Sequence, residues 1–304
     1  MHIICVVGTS TGIGKTTIAS ALVARIASMG YRVSGFKPIE TGCLLSDDSD
    51  LPIPGLPHVD EADRTTDDRQ AALKARQAIK RLQALTGSSS TAMNLDAPSS
   101  HLIPTDATIL HKMTNIDIAL DEINPFRYAA PVAPSVAARL AGRPVAVKDV
   151  LEKMTVFESR VDYLIIEGAG GLLVPINERE LMVDYMVATA DWVSRASNGA
   201  HSFTSLLVGA SSLGTINHCL LTAEALATRR LSCCGIVLNR LEKELKPEEA
   251  SNPDQIEAFC RDHRAQSCPV LGVFPYLDDI VRGDADQLAN KINVHVDLAP
   301  VLAI

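Results

Sequence analysis

Runs of apolar residues alternate with segments of helical spacing from one end of the chain to the other. Ile3–Val7, Val33–Phe36, Tyr163–Ile166, Ser205–Val208, Ile236–Leu238 and Val270–Val273 are short, and several are apolar at every position. That is the pattern of strands buried on both faces of a parallel sheet. Between them, Thr16–Met29, Val136–Ala141, Val147–Ser159, Leu181–Val193, Ile216–Thr228 and Gln255–His263 have helix-length patterns. Strand–helix–strand repetition with right-handed crossovers predicts a doubly wound α/β fold, a mostly parallel sheet with helices on both faces. Ligands collect at the C-terminal ends of such strands. The residues that follow each strand are therefore where chemistry is expected.

One stretch breaks the rhythm. Residues 44–104 are rich in Pro, Ser, Asp and Thr and hold no apolar strand. Within them Ala71, Leu73, Ala75, Ala78, Ile79, Leu82 and Leu85 recur at helical spacing, and Gly87 offers a stop. The expectation is a single domain spanning 1–304, with an insertion that carries one amphipathic helix between loops. The charged run Asp60–Arg69 reads as a solvated face.

Composition narrows the class. The chain has 304 residues, 47% of them hydrophobic and 21% charged, enough to bury a sizeable core. A net charge of −8 argues against broad binding to nucleic acid or an anionic membrane. No run approaches the roughly 18 apolar residues of a membrane span. The start, MHIICVVGTSTG, enters a strand and glycine loop with no leader pattern. The seven cysteines include no CxxC pair, and Cys233-Cys234 sits in an apolar run. The expectation is a soluble cytoplasmic protein with neither a disulfide framework nor a zinc site.

The strongest chemical signal follows the first strand, in Gly8-Thr9-Ser10-Thr11-Gly12-Ile13-Gly14-Lys15-Thr16-Thr17, which leads into a helix. This is the context a phosphate-binding loop requires. Glycines let successive backbone N–H groups face phosphate oxygens, and the helix N-terminus adds a favourable dipole. Lys15 is expected to reach the β- and γ-phosphates of a nucleotide, and Thr16 to set its hydroxyl on Mg²⁺. The first position of the strict G-x-x-x-x-G-K-T pattern falls on Thr9, since Gly8 comes one residue early.

Two further corners follow later strands. Gly35-Phe36-Lys37-Pro38-Ile39-Glu40-Thr41-Gly42 supplies Lys37 as a second cation at the active edge of the sheet. In Ile165-Ile166-Glu167-Gly168-Ala169-Gly170-Gly171, Glu167 ends a buried strand where a Walker-B carboxylate holds Mg²⁺. The glycines after it permit close approach of a substrate to backbone amides.

Together these residues resemble the dethiobiotin synthetase family. The matching stretches are GTSTGIGKT (8–16), GFKPIETG (35–42), TDATILH (105–111), NPFRYAAPVAPS (124–135), EGAGGLLVPI (167–176), LGTINHCLLTAEAL (213–226), GIVLNR (235–240) and LGVFPYL (271–277). The resemblance implies a P-loop NTPase-like fold with a seven-stranded, mostly parallel sheet, usually as a homodimer. It implies ureido ring closure: 7,8-diaminononanoate, CO₂ and ATP give dethiobiotin, ADP and phosphate, with Mg²⁺.

By the same resemblance Thr11, Gly12, Ile13, Gly14, Lys15, Thr16 and Thr17 match the nucleotide loop, with Lys15, Lys37 and Thr11 serving the reaction. Thr16, Asp106 and Glu167 match the metal positions, Lys37 and Thr41 the lysine and hydroxyl beside the substrate's amino end, and Gly170 a further substrate-binding position. Asn239 matches the adenine-reading asparagine, and Pro275, Tyr276 and Leu277 the loop over the base. Gly214 and Asn217 resemble the helix start that receives the substrate carboxylate, across the dimer interface. His218 is given no role in the reaction. Gly12 stands where many relatives carry an acid, and the insertion separates Thr41 from Asp106. Asp47, Asp48 and Asp50 are nearer in sequence, but the motif around Asp106 runs on into Asn124-Pro125-Phe126.

Two other functions fit a P-loop fold. A partitioning-type switch ATPase would carry a Lys-Gly-Gly loop whose first lysine falls at Ser10. A noncatalytic domain of synthetase-like fold tends to lose residues such as Lys15, Thr16 or Glu167, all of which stand here.

Overall fold

Side-chain alternation along β1 (His2–Gly8) explains why the sheet is covered twice. Ile3, Cys5 and Val7 join one buried cluster, while Ile4 and Val6 join another on the opposite face. The computed structural model describes residues 1–45, 101–196, 201–245, 247–262, 268–277 and 284–302.

In chain order the first half supplies α1 (Lys15–Ser28), β2 (Val33–Phe36), β3 (Ile39–Thr41), β4 (Leu44–Leu45), β5 (Leu102–Ile103), α2 (Thr105–Met113), α3 (Leu120–Ile123) and β6 (Phe126–Tyr128). Then come α4 (Pro134–Leu140), α5 (Val147–Met154), β7 (Tyr163–Glu167), α6 (Met182–Ala196), β8 (Ser202–Ala210) and α7 (Thr215–Thr228). The chain continues with β9 (Cys233–Asn239), α8 (Asn252–Asp262), β10 (Val270–Phe274), α9 (Ala285–His295) and α10 (Ala299–Leu302).

The main sheet has the order β10-β9-β8-β1-β7-β2, with every pairing parallel. α1 lies on one face through Ile18, Leu22 and Ile26, four residues apart and each fully buried. Burial of such side chains contributes about 1.5–3 kcal/mol apiece. α2 and α9 share that face through Leu110, Met113, Leu288 and Ile292. The other face is covered by α4 to α8, with Ala137, Val150, Met186, Leu226 and Ile256 in its core.

The parallel α/β architecture is as expected, but the main sheet has six strands among the described residues rather than seven. Pro38 gives the reason. It has no N–H to extend a ladder, so the chain leaves the sheet after Phe36, and β3 pairs in parallel with β6 instead. Lys37 N donates to the Ile123 carbonyl at 2.9 Å, and Phe126 N to the Pro38 carbonyl at 3.1 Å, fixing that departure. β4 and β5 pair antiparallel and bring the two ends of the insertion together. The helix expected around Ala71–Leu85 lies outside the described residues, as do Asp47, Asp48 and Asp50.

Candidate nucleotide and metal site

The loop after β1 is held from below and open from above. Thr9 N donates to the Val208 carbonyl at 3.1 Å, anchoring the loop to β8. Gly14 takes the left-handed conformation with φ 88°, and a Cβ there would collide with Asn239 Nδ2. Only glycine meets both demands. Asn239, the last residue of β9, donates its Nδ2 to the Ile13 carbonyl at 2.9 Å. α1 then starts with no side-chain cap and no acidic residue in its first turn. Its first amides and its positive dipole end are left for an anion.

Lys15 is 6% exposed and donates to the Ser10 carbonyl at 2.9 Å. Burial lowers its pKa to about 8, against the pull of Glu167. An arriving phosphate would supply the counter-charge this ammonium lacks.

Beside the loop four side chains interlock, from α1, α2, β7 and the residue that follows β2. Thr16 Oγ1 donates to Glu167 Oε1 at 2.8 Å. Lys37 Nζ donates to the same Oε1 at 2.5 Å and to Asp106 Oδ2 at 2.9 Å. The Thr16 hydroxyl also lies close enough to Asp106 to favour its charged form. Burial opposes the charge on Lys37, yet the Glu167 and Asp106 carboxylates outweigh it and hold the ammonium above the usual lysine range. Burial raises the Asp106 carboxyl as well, but Lys37 overrides it and the net shift is downward. Glu167, 1% exposed, is pushed upward by burial and by Asp106, with Lys37 opposing.

These residues fit a hard divalent cation. Glu167 Oε2 is buried with no hydrogen-bond partner, an acceptor left open. The Thr16 hydroxyl and the Asp106 and Glu167 carboxylates line the same cleft, and Mg²⁺ takes few protein oxygens beside phosphate and water. The cleft carries three carboxylates, Glu40, Asp106 and Glu167, against the ammonium groups of Lys15 and Lys37. A polyphosphate entering it alone would meet uncompensated negative charge. Among the described residues no group of three His, Cys, Asp or Glu side chains is placed to hold a metal, so this is not an all-protein cage.

The cleft has a volume of about 410 Å³. Thr11, Gly12, Gly14, Lys15, Thr16, Thr17, Lys37, Thr41, Asp106, Glu167, Gly170 and Asn239 all line it. Gly170 has φ 65°, and a Cβ there would crowd Val174 at 2.8 Å and touch the Thr11 hydroxyl at 3.5 Å. Ile13 lies under the loop in the core rather than on the cleft wall.

Other expected residues lie elsewhere. Gly214 caps α7 in the left-handed conformation with φ 90°, and Asn217 is exposed one turn further on; neither lines the cleft. Pro275, Tyr276 and Leu277 follow β10 and also stand off the cleft wall, with Leu277 buried.

The structure adds cleft residues that the sequence did not single out: Ser20, Ile39, Glu40, Ile109, Leu241 and Leu288. Leu288 comes from α9, whose sequence ADQLANKINVH is too polar to signal a core helix. Glu40 was visible only as a letter within the GFKPIETG stretch.

Among the described residues no helix is long and apolar enough to cross a membrane. The family described as an AAA domain matches residues 82–283, a span that begins after the phosphate loop. The chain is 31% identical over 277 residues to the ATP-dependent dethiobiotin synthetase BioD of Anaeromyxobacter dehalogenans, covering 91% of each chain. It is 29% identical over 297 residues to the ATP-dependent dethiobiotin synthetase BioD of Bacillus licheniformis, covering 98% of this chain and 94% of that one. Among solved structures it matches the cell division ATPase MinD of Pyrococcus furiosus at 17% identity, with 96% of this chain and 98% of that one covered; the TM-score of 0.44 is too low to carry an argument. By the identity and coverage of the curated relatives, the chain belongs to the ATP-dependent dethiobiotin synthetase family.

Proposed function

We propose that this chain closes a ureido ring, converting 7,8-diaminononanoate, CO₂ and ATP into dethiobiotin, ADP and phosphate in biotin synthesis. The observation that carries the proposal is the interlocked set Thr16, Lys37, Asp106 and Glu167 beside a phosphate loop. The names of the relatives support the substrate.

Lys15 and the amides at the start of α1 bind the phosphates in this reading, and Thr16, Asp106 and Glu167 hold Mg²⁺. When bound, the metal neutralises phosphate charge as the γ-phosphoryl group leaves. Lys37 lies where negative charge gathers, and Thr41, Gly170 and Thr11 orient the diamine. Asn239 reads adenine from β9, with Pro275, Tyr276 and Leu277 closing over the base. Its bond to the Ile13 carbonyl gives Asn239 a second task, fastening the loop.

One neutral amine attacks CO₂, loses a proton and leaves a carbamate anion. The carbamate oxygen attacks the γ-phosphorus and ADP departs, giving a carbamic–phosphoric anhydride. The second amine attacks the carbonyl carbon, phosphate leaves with the bonding pair, the amine gives up one proton to the departing phosphate or to water, and the ring closes. Each step builds negative charge near Lys15 and Lys37, so stabilisation is electrostatic and positional. No side-chain nucleophile is required.

Gly214 and Asn217 take the substrate carboxylate from a second copy in a homodimer, a reading supported by their exposure outside the cleft and by exposed Leu213 and Leu221 nearby. A single domain and a cytoplasmic setting belong to the same proposal. The test is mass spectrometry of the product formed with ¹³C-bicarbonate. Dethiobiotin carrying one ¹³C atom, formed in step with ADP, is expected; ADP without labelled product contradicts the proposal.

A further inference from the structure

Glu40 is 4% exposed, yet it is placed to hold a part of the cleft it does not belong to in sequence. Its Oε1 accepts from the Asp106 backbone N–H at 3.0 Å, and its Oε2 from the Ala107 backbone N–H at 3.0 Å. Oε1 also accepts from the Thr105 hydroxyl at 3.4 Å. α2 begins after Pro104, which offers no side-chain cap. The carboxylate from β3 therefore does the capping across the sequence gap, where helix amides and dipole favour a negative charge.

The consequence concerns Asp106. Its backbone is pinned at the first turn of α2 by Glu40, while its carboxylate reaches Lys37 at 2.9 Å. β3 is itself fixed, since Glu40 pairs with Arg127 in the ladder with β6. Thr41, the next residue, lines the same cleft. Beside the β4–β5 pairing, Glu40 thus holds the start of α2 against β3, and with it the carboxylate beside the phosphate loop.

We propose that Glu40 is a positioning residue for the metal: it caps α2 so that Asp106 faces the cation. Both Glu40 oxygens are occupied by backbone amides, so it acts through Asp106 and does not bind the metal. The inference rests on the reading of Asp106 as a metal carboxylate.

The test uses the full chain, with Mn²⁺ as the probe and ADP present, titrated by electron paramagnetic resonance for Glu40→Ala, Glu40→Gln, Asp106→Asn and the Glu40→Ala/Asp106→Asn pair. Partners that orient metal ligands typically account for about 10–100-fold in affinity. Glu40→Ala is expected to weaken Mn²⁺ about 10-fold, and the double variant to match Asp106→Asn alone. ADP binding in EDTA should stay within about twofold of wild type. Amide exchange should quicken at Asp106 and Ala107 in the metal-free protein. Glu40→Gln keeps the size but turns an NH₂ toward one of the two amides, so it should weaken Mn²⁺ at least about threefold. It carries the test should Glu40→Ala fail to fold. If Asp106→Asn weakens Mn²⁺ while the folded Glu40 variants bind it as wild type does, the positioning role is overturned. The same holds if the two losses multiply in the double variant. If Asp106→Asn leaves Mn²⁺ binding unchanged, the metal reading itself falls, and the inference with it.

Discussion

Thr16 and Glu167 stand 151 positions apart and share a hydrogen bond of 2.8 Å, the threonine hydroxyl donating to Oε1. The sheet arranges this meeting. β1 and β7 are parallel neighbours in a register that pairs Val6 with Glu167, so the end of β7 lies level with the start of the loop. Thr16 then enters from the first turn of α1, and Lys37 from the end of β2 on the far side of β7. Three chain segments distant in sequence therefore converge at the C-terminal edge of the sheet, where α/β folds place their ligands.

Lys15→Ala should abolish the charge aimed at the phosphates without unfolding the protein. Losing a preorganised charge partner typically costs about 10²–10³ in rate. Turnover should fall at least that far, while the melting transition stays cooperative. A variant near wild-type rate contradicts the phosphate-loop assignment.

Gly14→Ala attacks the same loop through its backbone. The position has φ 88°, and the new methyl group would meet the Asn239 amide. Strain of this kind costs about 1–3 kcal/mol. Urea denaturation should show a loss in that range together with weakened ATP binding, and an unchanged midpoint would refute the packing described.

Lys37→Met keeps the bulk and removes the cation between two carboxylates. Breaking a buried pair by deleting one partner costs about 3–5 kcal/mol. Glu167 is the more buried acid and bears most of the loss. Denaturation of the metal-free variant should show it, alongside loss of ring closure; a loss below about 1 kcal/mol would mean the pair contributes little to the fold.

Replacing Ser46–Ser100 with a short Gly/Ser linker should leave a folded protein. Leu45 and Leu102 are already paired, so the linker joins ends that meet. Closure entropy falls by about 0.6 kcal/mol for each halving of loop length, so a linker about one-eighth as long should raise stability by about 2 kcal/mol, or about 4–8 °C in melting temperature. Loss of the cooperative melt would show that the segment belongs to the core and that the one-domain proposal is wrong.

Periodicity and motif made much of this legible in the sequence. Each of the six main strands contains a short segment legible in the sequence, and those apolar at nearly every position, such as Ile3–Val7 and Tyr163–Ile166, are buried on both faces. Lys15, Thr16 and Glu167 were findable because their chemistry is tied to a glycine-rich turn or a strand end. Glu40 was not, since nothing in a three-residue strand signals that its side chain caps a helix starting 65 positions later. α9 was missed for a related reason: it buries only Leu288, Ala289 and Ile292, too few for a helical stripe to stand out. The six-stranded sheet turned on Pro38, whose effect depends on β6 being near enough to accept the diverted strand.

Under the proposed reaction ATP is spent only when the diamine and CO₂ are both present, because the carbamate they form is what attacks the γ-phosphorus. The most direct measurement is ADP release with and without 7,8-diaminononanoate and bicarbonate, each omitted in turn. Rapid release with both and little with either alone is the expected result. Release at the same rate without the diamine would contradict it, and would make this chain an ATPase of another kind.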